Sequence, residues 1–522
     1  MANLKSLNID GDLILDKGTV PTNVETVTTT VNYPFVYIYN FTANTITHMS
    51  STYTVNGQSV VMYEDETDSD KGYYVVATTV NANTITYGTA AHAAGTYTVK
   101  GTSCAYDYAN GKVLMAAAQP GGNHIGAMYV GTISGTGTSA TMSWGNGVQT
   151  NSGSMNAPDG AHKHQGIVWV GGIGGDTTNR LVMVMLNDNN ALYGRGTVVT
   201  ISGTTPSVAG WANFTSAGQG AADISMAYVG NGQVVVAYGE DAVGRCKVGT
   251  ITGGSTLTWS TNWYAYAGTH VNPGSEGCKN SIAYDVNAGK FIIAYIDSSV
   301  NVRGRAIVGT VSGTGTTASI AFGTEQEFTT GSGAVDAISV VYNTAAQKSL
   351  ITYNPTGSGN PAAVVATITG TDVAFTSQVY LATANPKNTV SVYDTVNKKN
   401  VVFWGHTSAG IGIVVDLLES ALTIDLSTGN YFELDLETAT SDIISFTITE
   451  SLSGAQLQTF DLKVTQGSVA RDFRWGSLSN FKFPGGTHPI LPTTNNAVSI
   501  LRFTTYDAGT TWIAKIVGQN FT

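Results

Sequence analysis

The sequence predicts an all-β protein. A β-propeller of about seven four-stranded blades covers residues 35–417, a jelly-roll-like C-terminal β-sandwich covers 418–522, and a short N-terminal docking segment covers 1–34. Three observations predict this. Glycine is abundant (61), proline scarce (12) and charge sparse (11%), a composition that suits many short strands joined by tight turns. A six-residue phrase recurs: Val130-Gly131-Thr132-Ile133-Ser134-Gly135, Val198-Val199-Thr200-Ile201-Ser202-Gly203, Val248-Gly249-Thr250-Ile251-Thr252-Gly253, Val308-Gly309-Thr310-Val311-Ser312-Gly313 and Val365-Ala366-Thr367-Ile368-Thr369-Gly370. Each copy alternates β-branched with small or polar residues and stops at glycine, as a half-buried strand entering a turn does. A recurrence of roughly 50–60 residues built from short strands marks a propeller or a related array. A stacked solenoid is the alternative, since it buries a core equally well.

From the start, Leu7 to Leu15 alternates apolar with polar residues around an Asp10-Gly11 turn signal, and Thr26 to Val31 is threonine-rich. This stretch is too short to bury a core alone and is expected to dock onto something larger. Each full unit then opens on an apolar strand ending in tyrosine: Tyr106, Tyr228, Tyr284, Tyr342 and Tyr393, with Val170 in that place in one unit. A turn follows, as at Asn110-Gly111 or Asn231-Gly232. The second strand is nearly all apolar, as in Val234-Val235-Val236-Ala237-Tyr238 and Phe291-Ile292-Ile293-Ala294-Tyr295, which suits a strand covered on both faces. The third strand is the repeated phrase, and the fourth is often aromatic, as at Trp144, Trp259, Phe322 and Phe375.

Full units start near 103, 166, 223, 281 and 337, an earlier copy covers 58–100, and a last one from 388 stops at Asp416 after three strands. That makes seven blades, with six or eight as the neighbouring counts. The missing outer strand of the last blade is expected from residues 35–57, because closing a ring with strands from both ends leaves no exposed edge.

From Leu418 the repeat stops and strands are expected at 422–426, 431–436, 443–448, 460–464, 498–503 and 512–517. Here the ordered phrases Ile424-Asp425-Leu426-Ser427-Thr428-Gly429-Asn430-Tyr431-Phe432, Lys463-Val464-Thr465-Gln466-Gly467, Phe483-Pro484-Gly485-Gly486-Thr487 and Phe503 to Trp512 stand together. In them the last hundred residues resemble the C-terminal domain of tail fibres and related receptor-binding proteins of bacteriophages, especially those of marine bacteria. The opening Leu4 to Gly18 is similar to the starts of phage structural proteins. The resemblance implies a virion protein, trimeric through this domain, that serves adhesion. Apolar positions such as Phe446, Phe460 and Phe503 are expected to draw part of their cover from such an assembly.

Composition narrows the partners. A formal charge of −11 argues against nucleic acid, which needs a concentrated basic surface. No apolar run approaches the ~20 residues of a membrane span, so no membrane insertion is expected. Met1 to Lys17 lacks the basic and apolar regions of a signal peptide. Cys104, Cys246 and Cys278 read as reduced core-filling residues. A virion component made in the host cytoplasm and released by lysis fits these features.

The loops between second and third strands carry acids followed by bases: Asp188 before Arg195, Glu240 and Asp241 before Arg245, Asp297 before Arg303 and Arg305, Glu64 and Asp65 before Lys71. Equivalent loops share one face of a propeller. They form either a glycan-binding ring, since arginine forks match carboxylates and hydroxyls, or exposed cross-hairpin ion pairs. The candidate glycan-binding residues are Arg195, Arg245, Arg303 and Arg305, with Trp475 and Tyr506 at the tip. Thr505 to Trp512 fits the Asp-box pattern of sialidase propellers, which shapes a hairpin and performs no chemistry. His162 and His164 offer two imidazoles to a metal, but no third ligand lies close in sequence. The acids from Glu64 to Asp70 match no calcium-loop spacing.

No nucleophile elbow, His-Glu-x-x-His or phosphate-binding loop occurs, so neither catalysis nor a cofactor is expected. The expected function is non-catalytic adsorption to host surface polysaccharide or lipopolysaccharide by a homotrimeric fibre joined to other virion proteins through its N-terminal segment. The rivals are a structural virion part, such as a tail nozzle or capsid-decorating fibre, and a depolymerase or sialidase-like enzyme.

Overall fold

The repeated phrase ends the third strand of five blades, Ile125–Ser134, Tyr193–Ser202, Val243–Thr252, Arg303–Ser312 and Ala362–Thr369, in a computed structural model of the chain. The structure describes residues 24–26 and, with short breaks, 39–521; the longest breaks are 155–164, 172–179, 269–279 and 450–456. Every letter of the phrase has a task. Its first valine is buried in each copy. The following glycine of two copies lies under rings that a Cβ would strike, Trp259 over Gly249 and Phe291 over Gly309. Threonine is a latch: Thr132 and Thr310 accept from Lys112 and Lys290 at 2.7 and 2.8 Å, and Thr250 accepts from the Gly315 amide of the next blade at 2.9 Å. The closing glycines (135, 203, 253, 313 and 370) have φ between 59° and 73°, a left-handed turn conformation that favours glycine.

Seven antiparallel sheets follow one another, each with a four-strand path. Their first strands are Ile46–Tyr53, Lys100–Asp107, Gln165–Val170, Ala222–Gly230, Asn280–Asp285, Val335–Asn343 and Pro386–Asp394. Each packs against the first strand of the next blade, and the seventh returns to the first. The ring is a seven-bladed propeller. Hydrophobic layers lie between neighbouring blades, as where Val182, Val184 and Val198 meet Val234, Val236 and Trp259. Side chains stitch the first strands together: Ser103 accepts from the Ile167 amide at 3.1 Å, Ser281 from the Val340 amide at 3.0 Å, and Ser339 meets Ser391 at 2.7 Å.

The terminal tyrosine and aspartate of the first strands also have a structural origin. Asp107, Asp285, Asn343 and Asp394 each accept two amides of the turn that follows, which is Asx-turn chemistry. In the first blade, Tyr53 reaches across the ring junction and donates to Asp394 of the seventh at 3.0 Å.

The closing strand is Tyr39–Thr42, antiparallel to Ala409–Val415. The expectation of a strand from 35–57 is met by these four residues alone. The first blade begins at Ile46 and not near 58, so Ile46–Tyr53 of that stretch is its inner strand. Alternation is lost there because His48 adopts a φ of 46° and the register shifts between Thr47 and Ser50.

Close approach between blades gives one prediction. A Cβ on Gly323, just after the fourth strand Ser319–Phe322, would coincide with the Thr371 carbonyl of the next blade. Backbone cannot step aside as a side chain end can, so Gly323→Ala is expected to cost about 1–3 kcal/mol. A urea midpoint equal to that of the parent chain would refute this contact.

The chain divides into two compact units, the propeller, Val36–Leu417, and a smaller one containing Leu418–Thr522. In the smaller unit Val24–Thr26 pairs with Ser420–Asp425, which pairs in parallel with Ile443–Thr449. A second sheet of five strands contains Tyr431–Asp435, Gln458–Thr465, Val498–Thr505, Trp512–Phe521 and Phe481–Lys482. Residues of both sheets share one core. Three pairings are parallel, a departure from the all-antiparallel ladders of a jelly roll. Phe446, Phe460 and Phe503 are buried within this unit itself, so the expectation that they need cover from an assembly is corrected. Among the described residues no helix is long and apolar enough to cross a membrane.

Candidate functional site

Arg195, Arg245 and Arg305 occupy one register position. They lie on third strands opposite Met185, Tyr238 and Tyr295 of the second strands. A glycine precedes each, and a Cβ on Gly194, Gly244 or Gly304 would strike the ring of Phe214, Tyr266 or Phe328. Those rings arrive on the connection to the next blade. Phe214 and Phe328 also donate their amides to the Gly194 and Gly304 carbonyls at 2.8 and 3.0 Å. The Gly-Arg dipeptide is thus a packing requirement first.

The same connections form short fifth segments that pair with the start of the third strand in six blades. They set Asn213 opposite Arg195, Ala265 opposite Arg245, Glu327 opposite Arg305, Tyr380 opposite Ala362 and His92 opposite Tyr73. These segments are absent from the four-stranded expectation; they and the residue just before them supply Asn213, Trp263, Glu325 and Glu327 to the arginines.

Arg195 donates Nε to Asn213 at 2.8 Å, and Asp188 lies outside the described residues. Arg245 pairs with buried Glu240, and its guanidinium carbon lies 4.0 Å from the ring centroid of Trp263, well within cation–π range. Asp241 is outside the described residues. Arg305 pairs with Asp297 at 2.9 Å and with Glu325. Arg303 turns instead to Glu327, at 2.7 and 2.9 Å from its two oxygens. Lys71 pairs with Asp68 at 2.8 Å, not with Glu64 or Asp65. Glu64 faces His48 at 2.7 Å, and Asp65 accepts the amides of Thr67 and Asp68. Each of these pairings is made within a single blade.

Electrostatically these groups are largely self-paired. An exposed pair such as Arg303–Glu327 contributes about 0–1 kcal/mol. Tyr295 donates to Glu325. Its phenol is pushed well up, first by burial and then by that carboxylate; burial likewise raises Tyr238. Both are neutral hydroxyls across the physiological range. What these groups offer chemically is hydrogen-bond donors, acceptors and aromatic faces.

At the other end of the chain Tyr506 is 61% exposed, whereas Trp475 lies outside the described residues. Asp507 shapes the hairpin as its Asp-box pattern implies, accepting the Thr511 amide at 2.8 Å. That amide, with the Thr505 hydroxyl, holds its carboxyl below the usual carboxylate range. His162 and His164 are outside the described residues. Among those described, no group of three or more His, Cys, Asp and Glu side chains is placed to hold a metal ion. Asn213, Glu325, Glu327 and Trp263 were not singled out in the sequence; residues in equivalent places lie at differing distances after the closing glycine of the phrase, so alignment on the phrase does not superpose them.

No family model matches the chain, and no curated protein matches it. Solved structures do. A Trypanosoma rangeli sialidase in complex with the inhibitor DANA is 11% identical with a TM-score of 0.37, over 71% of this chain and 55% of that one. The chain thus spans little more than half of that sialidase's length. The Hadza microbial sialidase Hz136 is 10% identical with a TM-score of 0.41, over 73% and 68%. The BP39L lectin of Burkholderia pseudomallei is 10% identical with a TM-score of 0.49, over 72% of this chain and all of the lectin.

Proposed function

We propose that this chain is a bacteriophage virion fibre protein that adsorbs to host-surface glycans without cutting them. The observation that carries this reading is the repetition, in three successive blades, of arginines held by carboxylates or an amide, one of them beside the exposed Trp263 ring. Glycans present hydroxyls and apolar ring faces together, and such groups answer both. Arg195, Arg245, Arg303 and Arg305 are the contacts on these blades, with Tyr506 and Trp475 as further contacts on the C-terminal unit. The resemblance of the C-terminal phrases to phage fibre domains supplies the virion setting, with release by lysis and attachment to other virion proteins through residues 1–34.

Assembly as a homotrimer belongs to the same reading. Its support is the final strand, Trp512–Phe521, in which the apolar Ile513, Val517 and Phe521 are exposed. Light scattering on the full chain is expected to return three times the 54.4 kDa chain mass; a monomer at every concentration removes the trimer.

The adsorption test uses the full chain and intact host cells. It is expected to sediment with the cells, to be displaced by their extracted polysaccharide or lipopolysaccharide, and to release no reducing ends. New reducing ends would shift the reading to a depolymerase or sialidase-like enzyme. Failure to bind cells would leave a structural virion part.

A further inference from the structure

We propose that Trp263, in the fourth blade, is a stacking platform for a neutral pyranose ring. This rests on the glycan-binding reading and gives it a subsite and a ligand class. The argument begins with a comparison of blades. Trp263 precedes Tyr264, which pairs with Cys246; Glu325 precedes Gln326, which pairs with Ala306; Gln378 precedes Val379, which pairs with Ala363. The three residues therefore hold equivalent places. In the fifth and sixth blades that place has a structural task, because Glu325 accepts the Tyr295 hydroxyl and Gln378 accepts the Tyr353 hydroxyl, the latter at 2.8 Å. The fourth blade has the same tyrosine, Tyr238, but sets an indole where the acceptor should be. The Tyr238 hydroxyl is buried and has no hydrogen-bond partner among the described residues. An orphaned buried hydroxyl is a stability liability, and breaking a repeated local rule without structural gain is what functional positions do.

The indole is also presented in a usable way. Arg245 covers one face at 4.0 Å, yet 49% of the residue stays exposed. Its segment is held firmly: the Thr261 amide donates to Thr316 of the next blade at 2.9 Å, and the Ser260 hydroxyl donates to the Asn262 carbonyl at 2.9 Å. A platform fixed before the ligand arrives loses little entropy on binding.

The chemistry around it selects the ligand. Arg245 already has Glu240 as its counter-ion, so the site offers no uncompensated charge to an acidic sugar. Thr261 and Asn262 beside the ring are exposed and polar. One aromatic face within a polar rim matches the apolar C–H face and outward hydroxyls of a single neutral hexose, and is too small for a protein interface.

The test labels the full chain with 5-fluorotryptophan, which reports each of its 8 tryptophans by fluorine NMR. Trp263→Gln identifies the relevant resonance. The probes are the methyl glycosides of glucose, galactose and mannose, N-acetylglucosamine, and glucuronate as the charged control. The Trp263 resonance is expected to shift saturably with at least one neutral sugar and no more strongly with glucuronate. Trp263→Gln is expected to weaken that binding about tenfold while melting at or above the parent temperature, because glutamine restores an acceptor to Tyr238. Trp263→Tyr should keep partial binding.

A shift at another indole with Trp263 unmoved would overturn the inference and leave glycan binding standing. A marked loss of stability in Trp263→Gln with sugar binding intact would also overturn it, making the ring a structural cap. Silence across the panel overturns it as well, and the cell-binding experiment then scores the parent reading separately.

Discussion

Lys399→Met is expected to destabilise the propeller by about 3–5 kcal/mol, because it leaves a buried carboxylate without its counter-charge. Lys399 is 1% exposed and its partner Asp416 7%. Lysines at the same strand start in other blades, Lys112 and Lys290, end on threonine hydroxyls; the last blade has a full ion pair instead. Loss of one charge should move the urea midpoint far more than loss of an exposed pair such as Arg303–Glu327. The companion Lys399→Met/Asp416→Leu removes both charges and should recover most of the loss, since an apolar pair of similar volume is often neutral at a buried site. A single variant no weaker than the double variant would show that the pair is not buried in solution.

Phe503→Ala is expected to have an effect of similar size on the smaller unit. Phe503 is buried and stacks on Phe460 with centroids 4.8 Å apart; Phe446 and Phe481 lie at 5.2 and 5.6 Å. Truncating such a ring leaves a cavity that its aromatic neighbours cannot fill, at a cost of about 3–5 kcal/mol. For a domain of this size that corresponds to a fall in melting temperature on the order of 20 °C. Differential scanning calorimetry of the full chain should show one transition moving down while the propeller transition stays in place. Both moving together would mean that the two units unfold as one.

The propeller was legible because its residues repeat their tasks. The first valine of each phrase is buried and its last glycine takes a left-handed turn, blade after blade, so a structural requirement becomes a visible period. Where the task is not repeated, the pattern fails. The inner strand of the first blade, Ile46–Tyr53, is interrupted at His48 and gave no alternation. The fifth segments are only two to seven residues long, and most are too short to show any period. In the smaller unit the six longer strands were visible and the short Val24–Thr26 and Phe481–Lys482 were not; alternation reports which face is buried and not which way a neighbour runs, so the parallel pairings were hidden.

The candidate site divides along the same line. The arginines stood out because acids precede them between the second and third strands, whereas Glu325, Glu327, Asn213 and Trp263 come from connections that differ between blades. The acid-before-base pattern anticipated Glu240–Arg245 and Asp297–Arg305. It misassigned Lys71 and missed the outward turn of Arg303 to Glu327.

The closing strand also sets a timetable for biosynthesis. Tyr39–Thr42 leaves the ribosome before any blade exists, and its partner Ala409–Val415 follows only after all the blades between them. At ordinary elongation rates that wait is on the order of half a minute. Val24–Thr26 waits even longer for Ser420–Asp425. Successive hairpins can form as they emerge, but neither the ring nor the smaller sheet can be completed on a nascent chain that stops short of its partner strand. A prematurely terminated product would therefore carry an unlatched strand at its leading end, open to pairing with another chain, and a translation error late in the message would damage the segments made first.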